Sequence, residues 1–265
     1  MKTIALYNMK GGVGKTSSAV NLAYLSAEEG YRTLLCDLDP QGSTSFYFRV
    51  SSPKKMSAKH LVKGDDRFLS SIKATNYENL DILPADFSYR NLSTILHDKK
   101  RSKKRIREAL AEVEHEYDIA ILDAQPALNL EAENVFSAAQ MILVPIIPST
   151  LSVQTLQLIR RFFHKHELDF HKLWIFFSLV DRRKRMHVQT MEELMERESN
   201  ILHAAIPYSS TVEKMGINRE PVLAHSRKSK AALAYLELWK ELHRHNFQDE
   251  KIIEENQAET VHFIP

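Results

Sequence analysis

The chain is expected to fold as an α/β protein, a doubly wound, mostly parallel sheet with helices on both faces. Three observations predict this. Short apolar runs of strand length alternate with stretches of helical periodicity from one end to the other, the pattern of successive βαβ units. The first run leads into Gly11, Gly12 and Gly14 at a strand-to-helix turn. Two later runs end in carboxylates, Asp37 and Asp39 after one and Asp123 after the other, where open parallel sheets hold their ligands. At 265 residues, with 43% hydrophobic and 26% charged side chains, the chain is long enough for one large core.

Ile4 to Tyr7 suits a strand covered on both faces, and Thr16 to Glu29 follows a helical pattern. The glycines between them let successive backbone N–H groups turn toward one anion, and the helix N-terminus adds partial positive charge. In Gly11-Gly12-Val13-Gly14-Lys15-Thr16, Lys15 is the residue type that reaches β- and γ-phosphates. The Thr16 hydroxyl helps to hold Mg²⁺, and Ser17 is placed to touch the α-phosphate. Lys10 precedes the glycines, where its side chain does not easily fold back on its own loop's phosphates. A lysine so placed could serve a nucleotide held by another subunit.

The run Lys10-Gly11-Gly12-Val13-Gly14-Lys15-Thr16 resembles the deviant Walker A motif of the ParA and MinD class of P-loop ATPases. The resemblance implies a P-loop NTPase fold, ATP and Mg²⁺ as cofactors, and an ATP-sandwich homodimer in which Lys10 crosses to the partner's nucleotide.

Arg32 to Cys36 reads as the second strand, closing a βαβ unit. Its end, Asp37-Leu38-Asp39-Pro40-Gln41-Gly42, should face the phosphate loop. Two carboxylates beside a triphosphate repel it unless a cation or an attacking water stands between. This run resembles the family's Asp-x-Asp-Pro-Gln motif, which implies that Asp39 orients water and that Asp37 supports Mg²⁺. From Ser43 to Lys73 the pattern weakens, with Ser51 to Lys55 marking an exposed loop and short helices after it. Leu80 to Pro84 is expected as a short strand and Tyr89 to Leu96 as a helix. Lys99, Lys100, Arg101, Lys103, Lys104, Arg105 and Arg107 open a helix predicted to reach Glu114; this basic run suits either nucleic acid or a solvated helix face.

Tyr117 to Asp123 is a buried strand with an acid at its end, the Walker B pattern, and Asp123 would support the metal held by Thr16. The family usually continues with a small residue or Cys and two prolines; here stand Ala124, Gln125 and Pro126. Met141 to Pro148 and Leu173 to Val180 are further strands. Between them Ser152 to Lys165 is a helix with Leu156, Ile159 and Phe163 on its inner face. Asp181-Arg182-Arg183-Lys184-Arg185 follows a strand end and resembles a family run near the nucleotide edge of the dimer. Ile206-Pro207-Tyr208, with Glu213, Gly216, Pro221 and Val222, resembles the late motif whose loop covers adenine; Asp181, Arg182, Pro207 and Tyr208 are the nucleotide contacts it implies.

The expected organisation is an ATPase domain over 1–247 and an acidic tail over 248–265. A net charge of +2 excludes a general polycation, so any DNA surface must be local; Arg182, Arg183, Lys184, Arg185, Arg219, Arg227, Lys228 and Lys230 are its candidates. The single Cys36 fits a reducing cytosol, and the chain opens on its first strand without a leader, so a cytoplasmic, nucleoid-associated location is expected. His164, His166 and His171 alternate faces and do not read as a zinc site. No Gly-x-Ser-x-Gly elbow suggests a hydrolase triad, and no N-terminal extension offers a helix-turn-helix.

The resemblance thus implies a dimerising ATPase that binds DNA non-specifically in the ATP state. It would segregate a plasmid, chromosome or protein cargo, with a ParB-like or cargo-adaptor protein stimulating slow hydrolysis. The alternative is a MinD-like ATPase at a membrane surface, for which the acidic stretch Asp249 to Glu259 has the wrong sign. A metal-cluster carrier would need a Cys pair.

Overall fold

The computed structural model describes residues 1–260, and along 246–260 the backbone alone. Residues 261–265 and all side chains of the acidic 248–265 segment lie outside the described residues. In chain order the elements are β1 (Lys2–Leu6), α1 (Lys15–Glu28), β2 (Thr33–Asp37), α2 (Ser43–Tyr47), α3 (Ala58–Lys63), α4 (Asp66–Leu69), β3 (Lys73–Ala74) and β4 (Leu80–Leu83). There follow α5 (Leu92–His97), α6 (Arg105–Ala111), β5 (Ile119–Asp123), α7 (Leu130–Ala138), β6 (Met141–Ile146), α8 (Thr150–Lys165) and β7 (Leu173–Val180). The last are α9 (Arg185–Arg197), β8 (Ile201–Pro207), α10 (Ser210–Glu213), α11 (Met215–Asn218), α12 (Val222–Ser226) and α13 (Lys230–Thr260).

The strands form one sheet in the order β3-β4-β2-β5-β1-β6-β7-β8. Among the described residues only the short edge strand β3 runs antiparallel to its neighbour; every other pairing is parallel, as the helical crossovers require. Two cores follow from the alternation of side chains along each strand. Ala5, Tyr7, Leu34, Cys36 and Leu122 face one layer, built on α3, α5, α6, α7, α8 and α9. Ile4, Leu6, Leu35, Ile119 and Ile121 face the other, built on α1, α12 and α13. There Tyr235, Leu238, Trp239 and Leu242 of α13 are buried, each leucine contributing about 1.5–3 kcal/mol.

β7 coincides with its expected span, and Leu156, Ile159 and Phe163 are the buried face of α8. Elsewhere the chain departs from expectation. The helix expected over Tyr89 to Leu96 is a 3₁₀ turn, Phe87–Asn91, followed by α5. The basic run does not open a helix. Lys99 to Lys104 lie in turns, and α6 begins at Arg105 because Asn134 of α7 supplies its cap: Asn134 Oδ1 accepts from Arg105 N at 2.8 Å and Asn134 Nδ2 donates to Ser102 O. No helix among the described residues is long and apolar enough to cross a membrane.

Candidate nucleotide site

At the carboxyl end of β1 the chain turns through the glycine loop into α1. Asn8 anchors the entry, its Nδ2 donating to Pro145 O at 2.8 Å and its Oδ1 accepting from Lys10 N at 2.9 Å. Gly12 and Gly14 take positive φ, 71° and 90°, the left-handed region that favours glycine. Gly14 has a second reason to lack a side chain: a methyl group there would stand 2.6 Å from Ser178 Oγ of β7. Ser178 is itself carried on an irregular stretch, with register shifts between β7 and β8 and Leu179 at φ 53°.

Lys15, 7% exposed, lies over this loop and donates from Nζ to Lys10 O at 3.2 Å. Burial lowers its pKa, against the opposing pull of Asp123 and Asp39. The Ser17 hydroxyl bonds to Gly14 O at 3.2 Å. Lys10 is half-buried, Gly11 and Gly12 are exposed, and Val13 is buried.

Two acids stand side by side next to the loop, since Asp37 and Asp123 are register partners on β2 and β5, and Asp123 is in turn the partner of Leu6 on β1. Both are fully buried. Asp123 Oδ2 accepts from Thr44 Oγ1 at 2.7 Å, and the Thr16 hydroxyl lies near it. Asp37 Oδ2 accepts both the N–H and the hydroxyl of Ser45, each at 2.7 Å. Burial raises the Asp37 carboxyl to about 7, with Asp123 adding to the effect; burial likewise raises Asp123 to about 6. Asp39 is half-buried and folds its own turn, Oδ1 accepting from Gln41 N at 3.0 Å.

Asp37 Oδ1 and Asp123 Oδ1 are buried without a hydrogen-bond partner among the described residues. Two orphaned anionic oxygens beside a threonine hydroxyl and a lysine are a donor set for a hard divalent cation carrying phosphates. ATP and Mg²⁺ fit the residues present: Thr16 and Asp123, with Asp37 beside it, are placed for the metal and the loop with Lys15 for the phosphates, while among the described residues Asp37, Asp39 and Asp123 do not converge into a metal cluster by themselves.

Thr44 and Ser45, which orient the two acids, come from the stretch that carried no readable pattern in sequence. Asn21 has no local signal in sequence either: its Nδ2 donates to Ser17 O at 2.7 Å and its Oδ1 accepts from Val222 N at 2.8 Å, tying the first helix to the Pro221-Val222 loop. The expected adenine-side residues lie on the far side of the sheet from β2. Pro207 ends β8, and Tyr208, 61% exposed, donates to Glu213 at 3.0 Å. Asp181 is held down to about 2 by Arg183, which forks onto it at 2.8 and 2.9 Å.

The basic candidates divide in two. Arg227 forks onto Glu28, and Arg219 lies 4.3 Å over the Phe46 ring while its Nε bonds to Phe46 O. Arg182, Lys184, Arg185, Lys228 and Lys230 are exposed, and Arg182, Arg185, Lys228 and Lys230 make no ion pair among the described residues.

Residues 1–172 match the family model of the AAA domain. Over 258 residues the chain is 30% identical to the virulence plasmid ParA family protein pGP5-D of Chlamydia psittaci, covering 96% of this chain and 99% of that protein. The chain belongs to the ParA family. Its likeness to the sporulation initiation inhibitor protein Soj of Bacillus subtilis is 30% over 247 residues, 91% of this chain and 98% of that one. Among solved ParA-like folds, a Borrelia burgdorferi protein described as a putative plasmid partition protein bound to AMPPNP superposes with a TM-score of 0.78 at 22% identity, over 90% of this chain and 97% of its own. Cobyrinic acid a,c-diamide synthase of Mycobacterium smegmatis, solved with an ATP analogue and magnesium, gives 0.76 at 26% identity, over 92% and 95%.

Proposed function

We propose that this ParA-family chain is a partition or positioning ATPase: ATP closes a homodimer, the dimer binds DNA without sequence preference, and an activator of the ParB type stimulates hydrolysis and release. The observation that carries the reading is the joining of one phosphate loop, Gly11 to Thr16, to two buried acids with orphaned oxygens, Asp37 and Asp123. Relatives named for plasmid and chromosome partition, similar over nearly the whole chain, support positioning rather than the amide synthesis of the cobyrinic acid enzyme.

In this reading the backbone N–H groups of the loop and Lys15 bind the β- and γ-phosphates, and Thr16 and Asp123 hold the cation, which neutralises phosphate charge when bound. Lys10 reaches the partner's nucleotide. Asp39 orients the attacking water, and Asp181, Arg182, Pro207 and Tyr208 border the adenine. Catalysis by positioning and charge stabilisation alone is sufficient for phosphoryl transfer. The exposed cations leading into the starts of α9 and α13 contact DNA phosphates. Closing the dimer doubles the number of such contacts, so affinity for DNA follows the nucleotide. The acidic 248–265 segment is a tail appended to the 1–247 domain, and the protein acts in the cytoplasm on the nucleoid.

The test is sizing with ATP and Mg²⁺. Lys15→Ala abolishes ATP binding, whereas Lys10→Ala binds ATP as a monomer and does not dimerise. A Lys10→Ala dimer as stable as the wild type refutes the cross-subunit role.

A further inference from the structure

One buried acid near the nucleotide loop is used by nothing described so far. Glu131, in the first turn of α7, is 1% exposed. Its Oε2 accepts from Gln125 Nε2, and its Oε1 has no hydrogen-bond partner among the described residues. The pair is firmly seated: Asn129 caps α7 by accepting from Glu131 N at 3.0 Å, and Tyr7 beneath donates its hydroxyl to Ala127 O at 3.0 Å.

Gln125 stands two residues beyond Asp123, in the loop that Ala124 N continues along β1 by donating to Leu6 O at 3.2 Å. Asp37 and Asp123 are register partners at the carboxyl ends of β2 and β5, and Asp39 and Gln125 each stand two residues beyond them, so Gln125, its partner Glu131 and Asp39 share one end of the sheet. A carboxamide has two unlike ends. Glu131 Oε2 is the acceptor of this bond, so it fixes the Gln125 nitrogen toward itself and leaves the carbonyl oxygen as an acceptor for another donor.

Hydrolysis needs such an acceptor. The attacking water oxygen forms a bond to the γ-phosphorus as the β–γ bridging bond breaks, the bridging oxygen leaving with the electron pair on ADP and the water's proton passing to the released phosphate. A water has two O–H bonds, and one carboxylate, Asp39, holds only one of them and leaves the molecule free to swing about it. A second fixed acceptor directs the lone pair at phosphorus. We propose that Gln125 is that second acceptor, a water-positioning residue, and that Glu131 is the positioning residue that sets its amide. The proposal rests on the ATPase reading. It assigns a role to the place where the chain departs from the double proline of its relatives' pattern: a polar pair does there what a rigid ring would not.

The test is a double-mutant cycle on the full chain with ATP and Mg²⁺, reading single-turnover hydrolysis, KM and melting temperature for Gln125→Ala, Glu131→Gln and the double variant. Glutamine at 131 keeps the volume but accepts or donates, so the amide loses its fixed direction. Gln125→Ala is expected to lower kcat on the order of ten- to a hundredfold with KM unchanged. Glu131→Gln is expected to lower it by a smaller factor, and to add nothing once Gln125 is alanine. If Glu131→Gln lowers kcat equally in both backgrounds, Glu131 does not act through Gln125. Melting temperatures that move while kcat stays constant make the pair a structural clasp and overturn the proposal. A wild-type chain that binds ATP but releases no phosphate, even in single turnover, refutes the ATPase reading itself, an outcome distinct from wild-type turnover that the variants leave unchanged.

Discussion

Replacing Gly14 by alanine isolates how the sheet shapes the phosphate loop. Two costs are separable in the structure. The residue sits at φ 90° and ψ 20° as the cap of α1, where an L side chain costs about 1–2 kcal/mol. The added methyl also stands 2.6 Å from Ser178 Oγ, and overpacking of this kind costs about 1–3 kcal/mol. Gly14→Ala should therefore lose about 2–5 kcal/mol in urea melts and bind ATP weakly, because the loop shifts away from the serine. Ser178→Ala removes the close oxygen and leaves Ser17 Oγ at 3.5 Å and the Ser178 Cβ at 3.8 Å, both ordinary contacts. Combined with Gly14→Ala it should restore the overpacking share and not the φ share. Calorimetric titration with an ATP analogue, alongside melts of both singles and the double, measures each share. If Gly14→Ala alone binds nucleotide like the wild type, or if Ser178→Ala restores nothing, the close approach of β7 is not what excludes a side chain there.

Asp39→Ala should retain ATP and accumulate a long-lived dimer, because the phosphate cradle survives while water loses an orienting carboxylate; sizing and phosphate release with an activator present check this, and normal stimulated turnover would contradict it. Replacing Arg227 and Lys228 by alanine should weaken binding to all DNA sequences alike and flatten the dependence on salt, the slope being about −0.9 per phosphate contact; since Arg227 is paired with Glu28, Lys228 should account for most of the change. Asp37 predicts a pH dependence of folding. Its carboxyl is raised to about 7 in the folded chain, so the stability it contributes is complete below its unfolded pKa and lost as pH rises toward and through 7. Without nucleotide or Mg²⁺, Asp37→Asn should melt higher than the wild type at pH 8 and alike at pH 4, and parallel melting curves across that range would refute the burial argument.

What the sequence reveals about this molecule is what local pattern can encode. Alternation along β1, β2 and β5 separates Ile4 and Leu6 from Ala5 and Tyr7, and the two cores follow that division. The loop and its acids were legible because their chemistry demands particular residue types at short spacing. The start of α6 was not. Its cap is Asn134, some thirty residues away in the next helix, so no rule about neighbouring residues can find it. Thr44 and Ser45 look like solvent-facing polar residues at a helix start until β2 and β5 bring Asp37 and Asp123 beneath them. Glu131 is hidden in the same way, as an acid in the first turn of a helix ordinarily faces water and complements the helix dipole. Arg219 and Arg227 illustrate the converse, cations whose partners Phe46 and Glu28 lie far back in the chain.

Asp37, Asp123 and Glu131 are all buried, and burial is the first cause of the raised pKa of each. A core assembled for stability alone would replace such groups with apolar side chains of the same size. Their partners here satisfy one oxygen of each carboxylate, from Ser45, Thr44 and Gln125, and leave the other without one. The half that is satisfied holds each group in a fixed direction, and the half that is not creates a demand that only a cation or a proton meets. Lys15 is lowered by the same burial that raises its neighbours, so the loop and the acids are unfavourably desolvated together. Phosphates and a divalent cation answer both demands at once, the phosphates for Lys15 and the cation for the acids. Nucleotide and metal should therefore bind as one unit, with either alone leaving the opposite charge buried and unpaired.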